Sequence, residues 1–205
     1  MDSKSGEPSK TDLLPWDRPF AGTHHPAFDH SSDWVLYGLS AAVLGKGIFD
    51  WARENASGEE TATFFVSALE IALWQNGLNY WVRSFELWGR PEIYRSGADR
   101  SKGESWGSFY SGHASAAFAS AVFGSMWFQS KYPESPYTPL VWASTLSLAT
   151  AVGALRVAAG KHYPSDVVVG ALAGAATSFA VLRLHRSSRV SVAVMPGYAG
   201  VRVLF

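Results

Sequence analysis

The stretch that decides the fold is DVVVGALAGAATSFAVLRL, residues 166–184. It is long enough to cross a bilayer as a helix, which takes about 20 apolar residues. Its many glycines and alanines would let neighbouring helices pack closely against it. Pro164 and Asp166 suit a helix N terminus, because proline fits the first turn and a carboxylate meets the positive end of the helix dipole. We therefore predict a helix over residues 165–185.

Four further apolar stretches precede this one. Each has the length and composition of a long helix, and together they cover residues 33–49, 61–82, 113–130 and 138–158. The sequence thus predicts an all-α bundle of about five long helices that span a membrane. A soluble bundle with buried helices is the alternative. The second stretch is the weakest candidate for a span, because Glu70, Gln75, Asn76 and Asn79 interrupt it.

The two ends of the chain differ from this helical region. Residues 1–32 are polar and predict an irregular arm, so the helical domain is expected to cover residues 33–188, with Asp33 capping its first helix. Residues 189–205 alternate between apolar and other residues on either side of Pro196-Gly197. This pattern predicts a short C-terminal β-hairpin.

Composition removes several classes of function. The 205 residues carry a formal net charge of zero, which gives no reason to expect nucleic acid as a partner. The chain has no cysteine, which excludes disulfides, thiolate metal sites and cysteine nucleophiles. Histidines 24, 25 and 30 have no spacing that matches a metal site, so we predict no metal and no cofactor.

Three polar segments lie at the ends of the predicted helices. They are RSFELWGRP at residues 83–91, SGH at residues 111–113 and RVAAGKHYPSD at residues 156–166. If successive helices alternate in direction, all three segments meet on one side of the bundle. Together they offer fixed cations, backbone amides, a nucleophile and a proton donor, which are the groups that phosphoryl transfer needs.

These segments resemble the signature of the type 2 phosphatidic acid phosphatase superfamily. That superfamily includes bacterial acid phosphatases, lipid phosphatases and vanadium haloperoxidases, and its pattern is Lys-x6-Arg-Pro, Pro-Ser-Gly-His and Ser-Arg-x5-His-x3-Asp. The resemblance covers about residues 83–166. The chain departs from the pattern at three positions, where Arg83 replaces lysine, Tyr110 replaces proline and Leu155 replaces serine.

The resemblance implies a role for each reactive side chain. His162 would attack phosphorus and form a phosphohistidine. Asp166, four residues later, would hold the other ring nitrogen and fix its tautomer. His113 would protonate the leaving oxygen and later activate the water that hydrolyses the intermediate.

The remaining residues of the signature would bind the phosphate. The guanidinium groups of Arg83, Arg90 and Arg156 match phosphate oxygens in geometry and charge. Arg156 could instead extend toward water from the end of an apolar helix. Ser111 and Gly112 would place free backbone N–H groups at a helix N terminus, which favours an anion.

The expected function is that of a metal-independent phosphatase. It would hydrolyse a phosphate monoester or pyrophosphate of a membrane lipid, such as phosphatidic acid, phosphatidylglycerol phosphate, a polyprenyl pyrophosphate or a lipid A phosphate. A vanadate-dependent haloperoxidase and a non-catalytic lipid-phosphate-binding membrane protein are the alternatives. Arg183, Arg186 and Arg189 flank the other end of the fifth helix, so we expect a protein of the bacterial inner membrane whose site faces the periplasm.

Overall fold

The described part of the chain is mainly helical, as the apolar stretches predicted. The structure is a computed structural model that describes residues 9–99, 105–187, 190–195 and 198–203, with side chains as far as residue 185. Its helices are α1 (Pro26–Ala52), α2 (Gly58–Arg83), α3 (Gly112–Lys131), α4 (Thr138–Ala158) and α5 (Pro164–Ser187). Short 3-10 turns cover Lys10–Asp12, Arg18–Phe20 and Pro91–Tyr94.

Helix α1 begins earlier than we predicted, at Pro26 rather than at residue 33. Proline at the first helical position and Asp29 in the first turn both favour a helix start here, although few of these residues are apolar. The expected boundary at residues 32/33 therefore falls inside α1. Asp33 lies within the helix and does not cap it. Its carboxylate instead contacts a side chain on α3.

Helix α3 is the central helix and packs against each of the other four. Its buried face consists mainly of small residues, and α5 lies close against it because Gly170 and Gly174 have no side chain. A Cβ atom at Gly174 would lie 2.0 Å from the backbone oxygen of Ser115, and one at Gly170 would lie 2.5 Å from that of Ser111. This close contact fixes the start of α5 beside the start of α3.

Helix α2 buries some of its polar residues and exposes several of its large apolar ones. Gln75 and Asn79 are each only 5% exposed and face the other helices, whereas Trp74 is 64% and Leu73 is 65% exposed. Two of the four polar residues that weakened this stretch as a predicted span, Gln75 and Asn79, therefore lie inside the bundle, whereas Asn76 is exposed and Glu70 is half-buried.

Two of the described helices are long and apolar enough to cross a membrane, the segments Thr138–Ala158 and Pro164–His185. The structure thus has the predicted number of long helices, but only two of these described helices are apolar enough to be candidate membrane spans. Helices α1, α2 and α3 do not meet the criterion, and α1 and α2 carry polar and charged side chains that are used in contacts with the rest of the bundle.

Two short strands follow α5. Residues Val190–Met195 form β1 and residues Tyr198–Val203 form β2, and the two backbones pair antiparallel with Val190 opposite Val203. The Pro196-Gly197 turn that would join them lies outside the described residues, so the predicted hairpin as a unit stays a prediction.

Candidate active site

The ends of the helices that carry the three polar segments meet on one side of the bundle. The backbone N–H of Ser111, just before α3, donates to the backbone oxygen of Asp166 in the first turn of α5 at 3.0 Å. The Asn79 amide near the end of α2 donates to the backbone oxygen of Tyr110 at 2.8 Å. These hydrogen bonds bring the segments together, as the alternating helix directions predicted.

His162 lies buried in the loop between α4 and α5, with 3% of its surface exposed. Its Nδ1 lies 2.9 Å from the backbone oxygen of Ser108. Because a carbonyl oxygen only accepts, Nδ1 must carry the proton of the neutral ring. The lone pair of neutral His162 is therefore on Nε2, and the ring is held in the tautomer that leaves Nε2 as the nucleophilic atom.

The protonation state of His162 follows from its surroundings. Burial lowers the pKa of the imidazole from 6.5 to about 4, against the opposing pull of the Asp166 carboxylate. The positive charges of Arg156 and Arg90 push the pKa of His162 in the same direction as burial. At neutral pH the ring is neutral and keeps its lone pair.

Asp166 is fully buried and organises the loops around His162. Its carboxylate accepts hydrogen bonds from the Ser108 hydroxyl at 2.6 Å, the Tyr163 backbone N–H at 3.0 Å and the Trp88 indole at 3.2 Å. Its Oδ2 lies 3.7 Å from His162 Nδ1. That separation is too long for a hydrogen bond, so the partner of Nδ1 is the Ser108 carbonyl rather than Asp166.

Arg156 is buried at the end of α4 and does not extend toward water. Its Nη1 donates to the carboxylate of Asp29 and, at 3.2 Å, to the hydroxyl of Ser32. Its buried Nε has no hydrogen-bond partner among the described residues. The positive charge of Arg156 also acts on both His113 and His162, the two predicted reactive imidazoles.

Lys161 and Arg90 lie beside the same carboxylate, that of Glu92. Lys161 Nζ contacts both carboxylate oxygens of Glu92, at 3.1 and 3.0 Å, and Arg90 Nη1 lies 4.0 Å from the same carboxylate. Arg83 is placed differently, because its Nε donates to the backbone oxygen of Gly107 at 3.0 Å. Arg83 thus supports the loop that leads to Ser108, and its predicted contact with a phosphate stays a prediction.

His113 lies in the first turn of α3 and is paired with a carboxylate. Its Nε2 lies 2.8 Å from Asp33 Oδ1 on α1. The sequence predicts Asp33 as the cap of α1 and gives no sign of this pairing, because 80 residues separate the two side chains.

Ser111 and Gly112 form the start of α3. The Ser111 hydroxyl accepts from the Ala114 backbone N–H at 3.3 Å and so caps the helix. A Cβ atom at Gly112 would lie 2.9 Å from the amide oxygen of Asn79, so this glycine is needed for the contact between α3 and α2.

Sequence reasoning missed several residues that shape this site, namely Asp29, Asp33, Asn79, Glu92 and Ser108. Two had a detectable signal: Asn79 is a polar residue in an apolar helix, and Glu92 directly follows the Arg90-Pro91 pair. The others had none, since they lie outside the three segments and reach the site only through the fold.

The described residues contain no group of three or more His, Asp or Glu side chains placed to hold a metal ion. His24, one of the three N-terminal histidines, lies with its Nδ1 3.1 Å from Glu92 Oε2. The expectation of a site without metal or cofactor stays a prediction.

Comparison with known proteins identifies the family. The model of the PAP2 superfamily matches residues 59–189, more than half of the chain. No match was found among curated proteins.

Two solved structures share the fold. LpxE from Aquifex aeolicus is 23% identical at a TM-score of 0.51, covering 88% of this chain and 98% of its own. A transmembrane PAP2-type phosphatidylglycerolphosphate phosphatase from Bacillus subtilis is 18% identical at a TM-score of 0.51, covering 81% of this chain and 90% of its own. At these identities the likeness is one of fold.

Proposed function

The chain belongs to the PAP2 superfamily, and from this premise we propose that it is a phosphatase that removes phosphate from a membrane lipid through a phosphohistidine on His162. The observation that carries the proposal is the hydrogen bond from His162 Nδ1 to the Ser108 carbonyl, 2.9 Å long. It leaves the Nε2 lone pair of a neutral, buried imidazole available for attack on phosphorus.

The cations beside His162 provide the electrostatic part of the reaction. Arg156 is buried with an Nε–H that lacks a partner among the described side chains, and a phosphate oxygen would satisfy it. Arg90 and Arg156 both disfavour a positive charge on His162, and the same positive charges would stabilise negative charge that develops on a phosphoryl group there. In the free site the carboxylate of Asp29 neutralises Arg156, and a bound phosphate would compete with it.

His113 completes the proposed chemistry. It would give a proton to the leaving oxygen as the bond between His162 Nε2 and phosphorus forms. The same ring, then neutral, would take a proton from the water that hydrolyses the phosphohistidine and so return His162 to its starting state. Asp166 supports this cycle by holding Ser108 and the backbone of Tyr163 in place around the His162 ring.

The surface of the described helices supports a substrate in a membrane. Large apolar side chains are exposed on several helices, among them Trp34, Trp74, Trp81, Leu172 and Phe179. A soluble monomer rarely leaves so many together in water. The burial of Gln75 and Asn79 on α2 also supports a membrane protein, because in a bilayer the polar side chains of a helix turn toward the interior of the bundle.

We propose that the site faces the periplasmic side of a bacterial inner membrane. Arg183 lies near the opposite end of α5 from His162, and Arg186 and Arg189 follow it in the sequence. Positive residues favour the cytoplasmic side, which leaves the His162 side outside. Lipid monophosphates and lipid pyrophosphates are both candidate substrates, since the cations described here suit either.

The test is phosphate release from a panel of lipid monophosphates and pyrophosphates in mixed micelles, with EDTA present. Wild type should release phosphate, and His162→Gln should be slower by about a thousandfold or more because the nucleophile is lost. His185→Gln is the matched control, since His185 lies at the other end of α5 and pairs with Glu70 at 2.7 Å. It should keep wild-type activity.

Quenching the reaction in alkaline detergent, in which phosphohistidine is stable, adds a direct readout of the intermediate. Radioactive phosphate from a labelled substrate should become attached to wild type and not to His162→Gln, and the label should be lost in acid. Full activity of His162→Gln would overturn the proposed mechanism. Two results would overturn the proposed function. One is vanadate-dependent halide oxidation without phosphate release, and the other is lipid binding without phosphate release.

A further inference from the structure

Helix α1 contributes two carboxylates to the site from outside the three polar segments. Asp29 and Asp33 lie one helical turn apart and precede residues 59–189, which match the family model. Asp29 pairs with Arg156 and lies 3.6 Å from Lys161. Asp33 pairs with His113 instead, at 2.8 Å, so the two carboxylates have different partners.

The pairing of Asp33 restricts what His113 can do. A carboxylate only accepts hydrogen bonds, so His113 Nε2 must carry the proton of this 2.8 Å contact. Nδ1 is then the one ring nitrogen left to exchange a proton with a substrate. If Nδ1 is to donate a proton while Nε2 keeps its own, the ring must be the doubly protonated imidazolium, which a neighbouring carboxylate stabilises.

We propose that Asp33 is a positioning residue for His113, which holds its Nε2–H and stabilises the imidazolium form that donates a proton from Nδ1 to the leaving oxygen. This inference rests on the proposed function, because it assigns a partner to the general acid of that reaction. Asp33 would touch neither the substrate nor phosphorus, and would act entirely through the imidazole.

The proton balance of the step is complete. The bond between phosphorus and the leaving oxygen breaks as the bond from His162 Nε2 to phosphorus forms, and the leaving oxygen takes the Nδ1 proton of His113. His113 is then neutral, with its remaining proton on Nε2 and still bonded to Asp33. In the second half, Nδ1 removes a proton from water, and that water attacks the phosphohistidine and frees His162.

The charges around His113 show why Asp33 is the relevant partner. Burial and the charge of Arg156 from α4 disfavour the imidazolium form of His113, whereas Asp33 and Asp29 from α1 favour it. Arg156 opposes an imidazolium, and its positive charge is already paired with Asp29. Asp33 makes the hydrogen bond to the ring and lies 4.0 Å from Arg156, so its main contact is with His113.

The experiment compares substrates with good and poor leaving groups. A poor leaving group such as an alkoxide needs a proton as it departs, whereas p-nitrophenolate does not. Asp33→Asn should lower kcat/KM for an alkyl phosphate by about tenfold or more, and kcat/KM for p-nitrophenyl phosphate by less than about threefold. Since kcat/KM covers only steps up to departure of the alcohol, hydrolysis of the intermediate does not affect this comparison.

Two further variants separate positioning from structure. Asp50→Asn is the matched control, because Asp50 lies at the far end of the same helix and pairs with Lys46. It should leave the ratio of the two kcat/KM values unchanged. In a double-mutant cycle, adding Asp33→Asn to His113→Asn should cause no further loss on the alkyl phosphate, because the group through which Asp33 acts is already gone.

A measurement on the unmutated chain covers the case in which Asp33→Asn does not fold. Nitrogen-15 NMR of histidine-labelled protein should show a proton on His113 Nε2 in a hydrogen bond, with the signal assigned by its loss in His113→Asn. Asp33→Glu keeps the carboxylate and should retain more alkyl phosphatase activity than Asp33→Asn. An unprotonated Nε2 would overturn the inference.

The remaining outcomes are distinct. Equal losses on both substrates in Asp33→Asn, or a further loss in the double variant, would show that Asp33 acts through folding or through Arg156, and would overturn this inference alone. A wild type that releases phosphate from no substrate would overturn the proposed function and, with it, the role of Asp33.

Discussion

At the scale of single residues, the reactive state of His162 depends on a backbone atom. The residue types were predictable, because His162 and Asp166 have a spacing of four that suits an oriented imidazole. The acceptor of the Nδ1 proton was not predictable, because it is the carbonyl of Ser108, a group that every residue has. Asp166 acts on the ring in two ways. Its carboxylate holds Ser108 by a hydrogen bond, and its negative charge lies close to the ring, with Oδ2 3.7 Å from His162 Nδ1.

The burial of His162 predicts how activity depends on pH. Its pKa is lowered to about 4, so the ring is neutral and reactive above that pH and loses its Nε2 lone pair as the pH falls through that value. The acid limb of kcat/KM should therefore have a midpoint nearer 4 than the ordinary 6.5. The profile is measured on a phosphate monoester, which itself ionises at about pH 6. The fraction of ionised substrate at each pH is measured by phosphorus NMR, and kcat/KM is corrected for it.

A control separates protonation from unfolding in this profile. Protein held at each acid pH for the length of the assay should regain full activity on return to pH 7. An acid limb centred near 6.5 in reversibly active protein would contradict the proposed state of His162.

At the scale of helices, apolar stretches predicted the elements but not their packing. The starts of α2 to α5 lie close to where the sequence indicated, because apolar runs and capping residues such as Ser57 and Ser111 coincide there. The start of α1 was missed, since residues 26–32 are mostly polar and their helix is stabilised by contacts such as that of Arg156 with Asp29. Contacts of this kind leave no periodic pattern in the sequence.

The close contact of α5 with α3 predicts that Gly174 is intolerant of substitution. Gly174→Ala should lower the free energy of unfolding by roughly 1–3 kcal/mol, because the new Cβ would lie 2.0 Å from the backbone oxygen of Ser115 and one helix must move. Gly38→Ala is the matched control, since a Cβ there has nothing within 4 Å. It should be neutral or stabilising by up to about 1 kcal/mol.

Thermal unfolding of the two variants in the same detergent measures the difference. The shift of α5 should also reduce phosphatase activity in Gly174→Ala, because Asp166 lies at the start of that helix. If Gly174→Ala and Gly38→Ala unfold at the same temperature, the proposed packing of α5 on α3 is wrong.

At the scale of the whole molecule, the bundle buries polar side chains such as Gln75 and Asn79 beside its apolar core, and it exposes large apolar side chains such as Trp74. The absence of cysteine from the chain allows this to be tested with single introduced thiols and no background. Leu73→Cys probes the outer face of α2, where Leu73 is 65% exposed, and Glu134→Cys probes the exposed loop between α3 and α4.

In permeabilised membranes, a water-soluble maleimide should label Glu134→Cys rapidly and Leu73→Cys hardly at all. A thiol in hydrocarbon does not ionise, and the thiolate is the reactive form. After denaturation in detergent, both variants should be labelled equally. Rapid labelling of Leu73→Cys in native membranes would show that this face of α2 meets water, and the soluble bundle would then be the better description.

The sequence by itself determined the family resemblance, the helical class and the residue types of the site, because these depend on composition, apolar runs and short spacings along the chain. The tertiary structure decided which groups meet: Ser108 with His162, Asp33 with His113, and Asp29 with Arg156. These pairs are separated by 54, 80 and 127 residues. Only the packing of α1, α4 and α5 around α3 brings them within hydrogen-bonding distance, and no local pattern encodes contacts between such distant residues.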